Sequence, residues 1–246
     1  MSRYFLEVAY KGTAYSGFQS QQNVNTIQAE IEEAFAVLQK EKLIMTGSSR
    51  TDAGVHALQN YFHFDYLGNI HPDFVYKMNS ILPADIVVKK IYSVSPNSHS
   101  RFDATERHYC YYIYQSKNPF LHDRAFYFPY KLNLKKMQEA ALILKNYHDF
   151  TSFSKRNTQA KTFFCDIQES FWLEKEHQLI YNVRANRFLR GMVRALVATM
   201  LQVGRDKLTI ENFVRIILDK DCTKASFAVP AKGLFLEKVC YQDNYF

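Results

Sequence analysis

The chain has 246 residues, of which 47% are hydrophobic and 22% charged, a composition that excludes an intrinsically disordered protein. Its net charge of +7 favours a polyanionic partner. The four cysteines form no Cys-x-x-Cys pair, and no apolar run approaches the roughly 20 residues that span a bilayer. We therefore expect a cytoplasmic protein with no disulfide framework, no metal and no membrane span.

The first half of the chain predicts strands and helices in alternation. Residues 4–10 alternate as a strand, and Asn25 is the expected cap of a helix whose apolar positions are Ile27, Ile31, Ala34, Phe35 and Leu38. The alternation over 61–66 predicts a second strand. A helix then follows, ended by Pro83, and a strand over 86–91.

The second half repeats this pattern. We predict strands over 109–114, 163–172 and 179–183, and three helices with apolar positions at Met137, Ala140, Ala141 and Leu144, at Leu189, Met192, Val193, Leu196, Val197 and Met200, and at Ile210, Phe213, Val214 and Ile217. The expected fold class is α/β (α+β), with two similar subdomains, 1–103 and 104–246, whose mixed or antiparallel sheets face a shared cleft.

Charge is unevenly distributed between these halves. Residues 1–103 carry nine Lys and Arg against ten Asp and Glu, whereas residues 104–246 carry 22 against 14. The second half is therefore the expected source of a phosphate-binding surface, although the same surplus is also typical of ordinary solvated lysines.

The most informative segment lies between the first helix and the second strand. Gly47 and Gly54 bracket it and favour a tight loop, which carries Arg50 and Asp52 two positions apart. A carboxylate displayed in this way can act as a nucleophile or base, while an Asp beside a glycine is also a common turn former or helix cap.

The string Arg50-Thr51-Asp52-Ala53-Gly54-Val55-His56 resembles the catalytic motif of the tRNA pseudouridine synthase A (TruA) family. Further segments resemble the family's other motifs in the expected order: 8–19, 26–32, 107–111, 186–194 and 233–236. The resemblance covers nearly the whole chain. It implies a continuous central sheet, an active site in the cleft, and isomerisation of uridine at positions 38 to 40 of the tRNA anticodon stem-loop, without cofactor or metal, by a homodimer.

The resemblance also assigns roles to individual residues. Asp52 is the catalytic aspartate, as nucleophile or base, and Arg194 pairs with it. Tyr109 stacks on uracil, although the alternation of Tyr109 and Tyr111 is equally typical of a sheet core. Arg50 holds the extruded nucleotide. Leu236 closes the uracil pocket, and simple strand core remains the alternative for it.

Basic residues of the second half complete the expected site. Arg190 lies four positions before Arg194 and is predicted on the same helix side, and Lys155, Arg156 and Lys161 follow a structured loop expected to face RNA. His56 is expected to stabilise its turn. The chain has Phe18-Gln19-Ser20 where the family commonly has Trp-Gln-Arg, which affects the expected substrate range more than the reaction.

Two other classes of function stay open from the residues alone. A non-catalytic RNA-binding or RNA-chaperone module needs only the basic second half, and its function would survive removal of Asp52. A metal-dependent nuclease needs several clustered carboxylates, and the loop offers one.

Overall fold

The computed structural model describes residues 1–156, 158 and 160–246 and divides the chain into two compact units. The first unit comprises Met1–Thr105 and Leu236–Phe246, and the second comprises Glu106–Phe235. The predicted mixed α/β class is confirmed by the nine strands and five α-helices found in the described part of the chain. No helix among those residues is long and apolar enough to cross a membrane.

The first unit is a sheet with two helices. Its strands lie in the order β4–β1–β3–β9, and the short β2 pairs with β3. Pairing of β1 with β3 and with β4 is antiparallel. The elements are β1 (Ser2–Tyr10), α1 (Ile27–Gln39), β2 (Thr46–Gly47), β3 (His56–Tyr66), α2 (Phe74–Ile81), β4 (Ile86–Val94) and β9 (Leu234–Cys240), whose first two residues belong to the second unit.

Aromatic side chains hold the two helices on this sheet. Phe35 of α1 packs edge-on against Phe64 of β3 at 5.2 Å and against Phe74 of α2 at 5.9 Å, and all three are buried. Burying a side chain of this size contributes roughly 1.5–3 kcal/mol to stability. Tyr61 of β3 lies on the opposite face of the sheet from Phe64, and the C-terminal Phe246 stacks on its ring at 5.5 Å.

The second unit also combines a sheet with helices. Strand β8 pairs with β5 and β7 in antiparallel fashion, and β6 lies parallel to β5. The buried Trp172 of β7 contacts Tyr181 of β8 and donates its indole N–H to the sulfur of Met200 in α4. The elements are β5 (Glu106–Tyr114), β6 (Phe126–Tyr127), α3 (Leu134–Ile143), β7 (Ile167–Lys175), β8 (Gln178–Ala185), α4 (Met192–Gly204) and α5 (Ile210–Asp219).

Three local predictions were wrong. The cap of α1 is Thr26, whose hydroxyl accepts the N–H of Ala29, and not Asn25. Strand β7 begins at Ile167 and not at Phe163, because Phe164 forms only an isolated bridge with Asp149. Helix α4 begins at Met192, so Arg190 does not share a helix side with Arg194.

Candidate active site

The predicted site residues fall into two groups, one in each unit. Arg50, Asp52 and Leu236 belong to the first unit, and the second unit holds Tyr109, Lys155, Arg156, Arg190 and Arg194. The tight loop expected between Gly47 and Gly54 is present, since residues 48–55 connect β2 to β3. Asp52 is half-buried in this loop, while Arg50 is exposed.

The Asp52 loop, residues 48–55, is closed by a backbone turn. The N–H of Val55 donates to the carbonyl of Asp52 at 3.1 Å, and Gly54 adopts a φ of 77°, which glycine tolerates better than any other residue. This turn leads directly into β3 at His56, five residues earlier than the alternation of apolar residues predicted.

Segment 12–18 holds the loop from the side. The N–H of Phe18 donates to the carbonyl of Thr51 at 3.1 Å, and the Phe18 ring stacks on Phe62 of β3 at 4.6 Å. Gly12 approaches so closely that an added Cβ would lie 2.0 Å from the carbonyl oxygen of Val55. The loop therefore has one well-defined backbone path, and the position of Asp52 follows from it.

Side chains tie the same loop to the sheet. Asn60 of β3 donates to the carbonyl of Ser49 at 2.8 Å, and the hydroxyl of Tyr10 contacts that of Thr51 at 2.8 Å. Sequence reasoning did not single out Asn60 or Tyr10, because a polar residue inside an apolar strand carries no signal of its partner. Leu236 is fully buried in β9.

In the second unit, Arg194 lies in the first turn of α4. That turn contains no acidic residue, and a cation there opposes the helix dipole by roughly 0.3–1 kcal/mol. This unfavourable energy is offset by two hydrogen bonds to the carbonyl of Val229, which accepts from Nε at 3.1 Å and from Nη2 at 2.7 Å. Two bonds to one oxygen fix the plane of the guanidinium.

The neighbouring residue Pro230 accepts a hydrogen bond from Tyr111, a side chain outside the predicted group. Its carbonyl accepts the hydroxyl of Tyr111 at 2.7 Å. Burial raises the pKa of Tyr111 far above its usual range, and the positive charge of Arg194 acts in the opposite direction. Arg194 and Tyr111 are thus near neighbours, held by consecutive backbone carbonyls.

Tyr109 and Arg190 occupy different surroundings. Tyr109 is 8% exposed, and its ring meets Phe188 edge-on at 5.0 Å, a contact that fixes the orientation of the ring. Arg190 is exposed and precedes Gly191, whose φ of 76° allows the chain to turn into α4. Its carbonyl accepts the N–H of Lys155 at 3.0 Å, so the structure brings these two predicted RNA contacts together.

Arg156 and Lys161 are exposed, and Arg156 lines a pocket with Thr151, Ser154, Lys155, Thr158, Phe163 and Cys222. The preceding loop is well anchored, because Phe150 and Phe153 are fully buried and Asp149 accepts both the N–H and the hydroxyl of Thr151. In the described part of the chain, no group of three His, Cys, Asp or Glu side chains is arranged to hold a metal ion.

Known proteins match this chain over nearly its full length. The family described as tRNA pseudouridine synthase matches residues 7–103 and 140–242. A tRNA pseudouridine synthase A of Parabacteroides distasonis is 45% identical over 249 residues, covering 100% of this chain and 98% of that protein. The corresponding proteins of Bacteroides fragilis and Porphyromonas gingivalis are 44% and 40% identical, covering all of this chain and 99% and 100% of their own lengths.

Proposed function

The chain belongs to the tRNA pseudouridine synthase family, and we propose that it isomerises uridine to pseudouridine at positions 38 to 40 of the tRNA anticodon stem-loop. The reaction breaks the bond between ribose C1′ and N1 of uracil and forms a bond between C1′ and C5. The proton on C5 is then lost to solvent, and N1, freed from the ribose, carries a proton taken from solvent. The base must leave its stack before any side chain can reach these atoms.

Asp52 is the proposed catalytic carboxylate, acting either as a nucleophile on the nucleotide or as a base on a ribose proton. The single observation that carries this proposal is the position of Asp52 on a loop whose backbone is fixed by Phe18, Val55 and β3. A carboxylate that must meet a sugar atom gains from such preorganisation, because small displacements of a reacting group are costly.

Arg194 is the proposed partner of Asp52. Support comes from its fixed guanidinium plane and from its place in the first turn of α4, since both the cation and the helix N-terminus favour a carboxylate. An ion pair of this kind fixes the orientation of the carboxylate.

The remaining residues are proposed to bind the substrate. Tyr109 stacks on uracil, Leu236 closes its pocket, and Arg50 holds the extruded nucleotide. Arg190, Lys155 and Arg156 contact phosphates, a role that the surplus of positive charge in the second half supports. We further propose that two copies act together on one tRNA in the cytoplasm, and sedimentation velocity should then give twice the chain mass of 28.9 kDa.

The test is release of tritium from tRNA labelled at uridine C5, in the presence of chelator. We expect release by the wild type, none by Asp52→Asn, and normal release by the control Asp73→Asn, which removes an exposed carboxylate of the same unit. Carbodiimide modification with primer extension then maps the product to positions 38, 39 and 40. Binding of tRNA without release by the wild type would overturn the proposal and favour an RNA-binding module.

A further inference from the structure

Behind the Asp52 loop lies a buried chain of hydrogen bonds that the chemistry above does not use. Asn60 donates from Nδ2 to the hydroxyl of Tyr10 at 3.2 Å, and that hydroxyl contacts Oγ1 of Thr51 at 2.8 Å. Asn60 is fully buried, and Tyr10 and Thr51 are 5% and 8% exposed. Thr51 directly precedes Asp52 in the sequence. We call these three side chains the loop clamp.

The direction of the bond from Asn60 to Tyr10 follows from two backbone partners of Asn60. The N–H of Tyr61 can only donate, and it lies 2.9 Å from Oδ1; the carbonyl of Ser49 can only accept, and it lies 2.8 Å from Nδ2. The amide therefore has one orientation. Nδ2 therefore donates to the Tyr10 oxygen, and the bond between that hydroxyl and Oγ1 of Thr51, in which either group can donate, continues the chain to the Asp52 loop.

Two of the three residues of the loop clamp lie in the sheet. Asn60 pairs with Val8 in the register of β3 with β1, and Tyr10 is the last residue of β1. Thr51 is held twice, by Tyr10 through its side chain and by the N–H of Phe18 through its carbonyl. The residue before Asp52 thus has little freedom to rotate or shift.

We propose that Tyr10 and Asn60 are positioning residues for isomerisation, because through Thr51 they hold the Asp52 carboxylate at the place where it meets the nucleotide. This proposal rests on the proposed function of Asp52. Since both side chains are buried, neither contacts tRNA from the surface. Their loss should therefore lower kcat while leaving the affinity for tRNA in place.

If the hydrogen bond of Tyr10 only stabilised the fold, a different result would be expected. The first unit offers a matched control for this alternative. Tyr66, the last residue of β3, is likewise a buried tyrosine, and its hydroxyl donates to Gln39 at 3.1 Å, away from the Asp52 loop. Tyr66→Phe and Tyr10→Phe each remove one phenol hydroxyl. If hydrogen bonding acts only through stability, both variants lose stability and both retain kcat.

The experiment compares Tyr10→Phe, Tyr66→Phe, Thr51→Val and Thr51→Ser in full-length protein, with kcat and KM for tRNA measured below every unfolding transition. We expect Tyr10→Phe and Thr51→Val to lower kcat by about tenfold or more, with KM changed by less than about twofold. Thr51→Ser keeps the hydroxyl and should restore most of kcat. Asn60→Leu should behave like Tyr10→Phe.

Two results would overturn the proposal, and they are distinguishable. Equal kcat in Tyr10→Phe, Thr51→Val and wild type, when Asp52→Asn is inactive, would overturn the loop clamp alone. Isomerisation that survives Asp52→Asn would overturn the assignment of Asp52, and the loop clamp with it. Combining Tyr10→Phe with Thr51→Val should lower kcat by less than the product of the single effects, since both break the same bond.

Discussion

Nδ1 of His56 accepts a hydrogen bond from the backbone N–H of Gly12 at 3.1 Å. His56 is 1% exposed and is the first residue of β3, while Gly12 lies just after the end of β1. The bond joins the end of the Asp52 loop to the segment that holds it. Because Nδ1 accepts this bond, it carries no proton that it could donate. This nitrogen of His56 therefore stabilises the turn.

We expect His56→Asn to retain more activity than His56→Leu. Asparagine can place an oxygen near the position of Nδ1, whereas leucine leaves the buried N–H of Gly12 without an acceptor, at a cost of about 1–3 kcal/mol. Thermal unfolding and tritium release check both variants. If His56→Leu matched the wild type in stability, the Gly12 bond would have no energetic role.

Gly12→Ala should strongly reduce both stability and activity. The added Cβ would lie 2.0 Å from the carbonyl oxygen of Val55, so the Asp52 loop must move outward. Overpacking of this kind costs about 1–3 kcal/mol. The control is Ala14→Ser, which also adds one heavy atom but at an exposed position of the same turn. Equal melting temperatures for the two variants would contradict the predicted clash.

The sequence predicted most elements of the fold because their apolar residues repeat at regular spacing. The residues of α5 facing the core, Phe213 and Ile217, were identified in this way and are buried. The spacing failed for Arg190, since the positive φ of Gly191 delays the start of α4. The loop clamp was not predicted either, because Tyr10 and Asn60 are 50 residues apart and only their folded contact gives them a common role.

Arg194→Lys should lower kcat although it preserves the charge. A lysine cannot supply the two N–H donors that Nε and Nη2 direct at the carbonyl of Val229. The position of its ammonium group is therefore less well fixed than that of the guanidinium. We expect a decrease of about tenfold or more. Arg215→Lys, at an exposed position of α5, is the matched control and should retain wild-type kcat. Full activity in Arg194→Lys would show that charge alone suffices.

Arg156→Ala should weaken tRNA binding without changing kcat at saturation. Removing one phosphate contact reduces the magnitude of the negative slope of log K, the association constant for tRNA, against log salt concentration by about one. Binding is measured by filter retention across a salt series, with Lys175→Ala as the control, because Lys175 is an exposed cation beside Glu176 at 3.7 Å. An unchanged salt slope in Arg156→Ala would remove this residue from the proposed phosphate contacts.

Stability should fall on acidification in a range set by His63. Burial, together with the nearby His99 and Arg3, lowers the pKa of His63 from 6.5 to about 4. Between these values the unfolded chain binds a proton that the folded protein does not, so the free energy of unfolding decreases as the pH falls through this range. Above pH 6.5 the imidazole is neutral in both states, and this contribution is constant.

His63→Asn should therefore flatten the dependence of melting temperature on pH between about 4 and 6.5. The slope should not vanish, because burial also lowers the pKa of His99, whose ring lies 4.4 Å from that of His63. Asp65 and Asp103 have lowered pKa values and lose their stabilising charge only at more acidic pH. The control is His71→Asn, at an exposed position of the same unit; equal slopes in the two variants would mean that folding leaves the pKa of His63 unchanged.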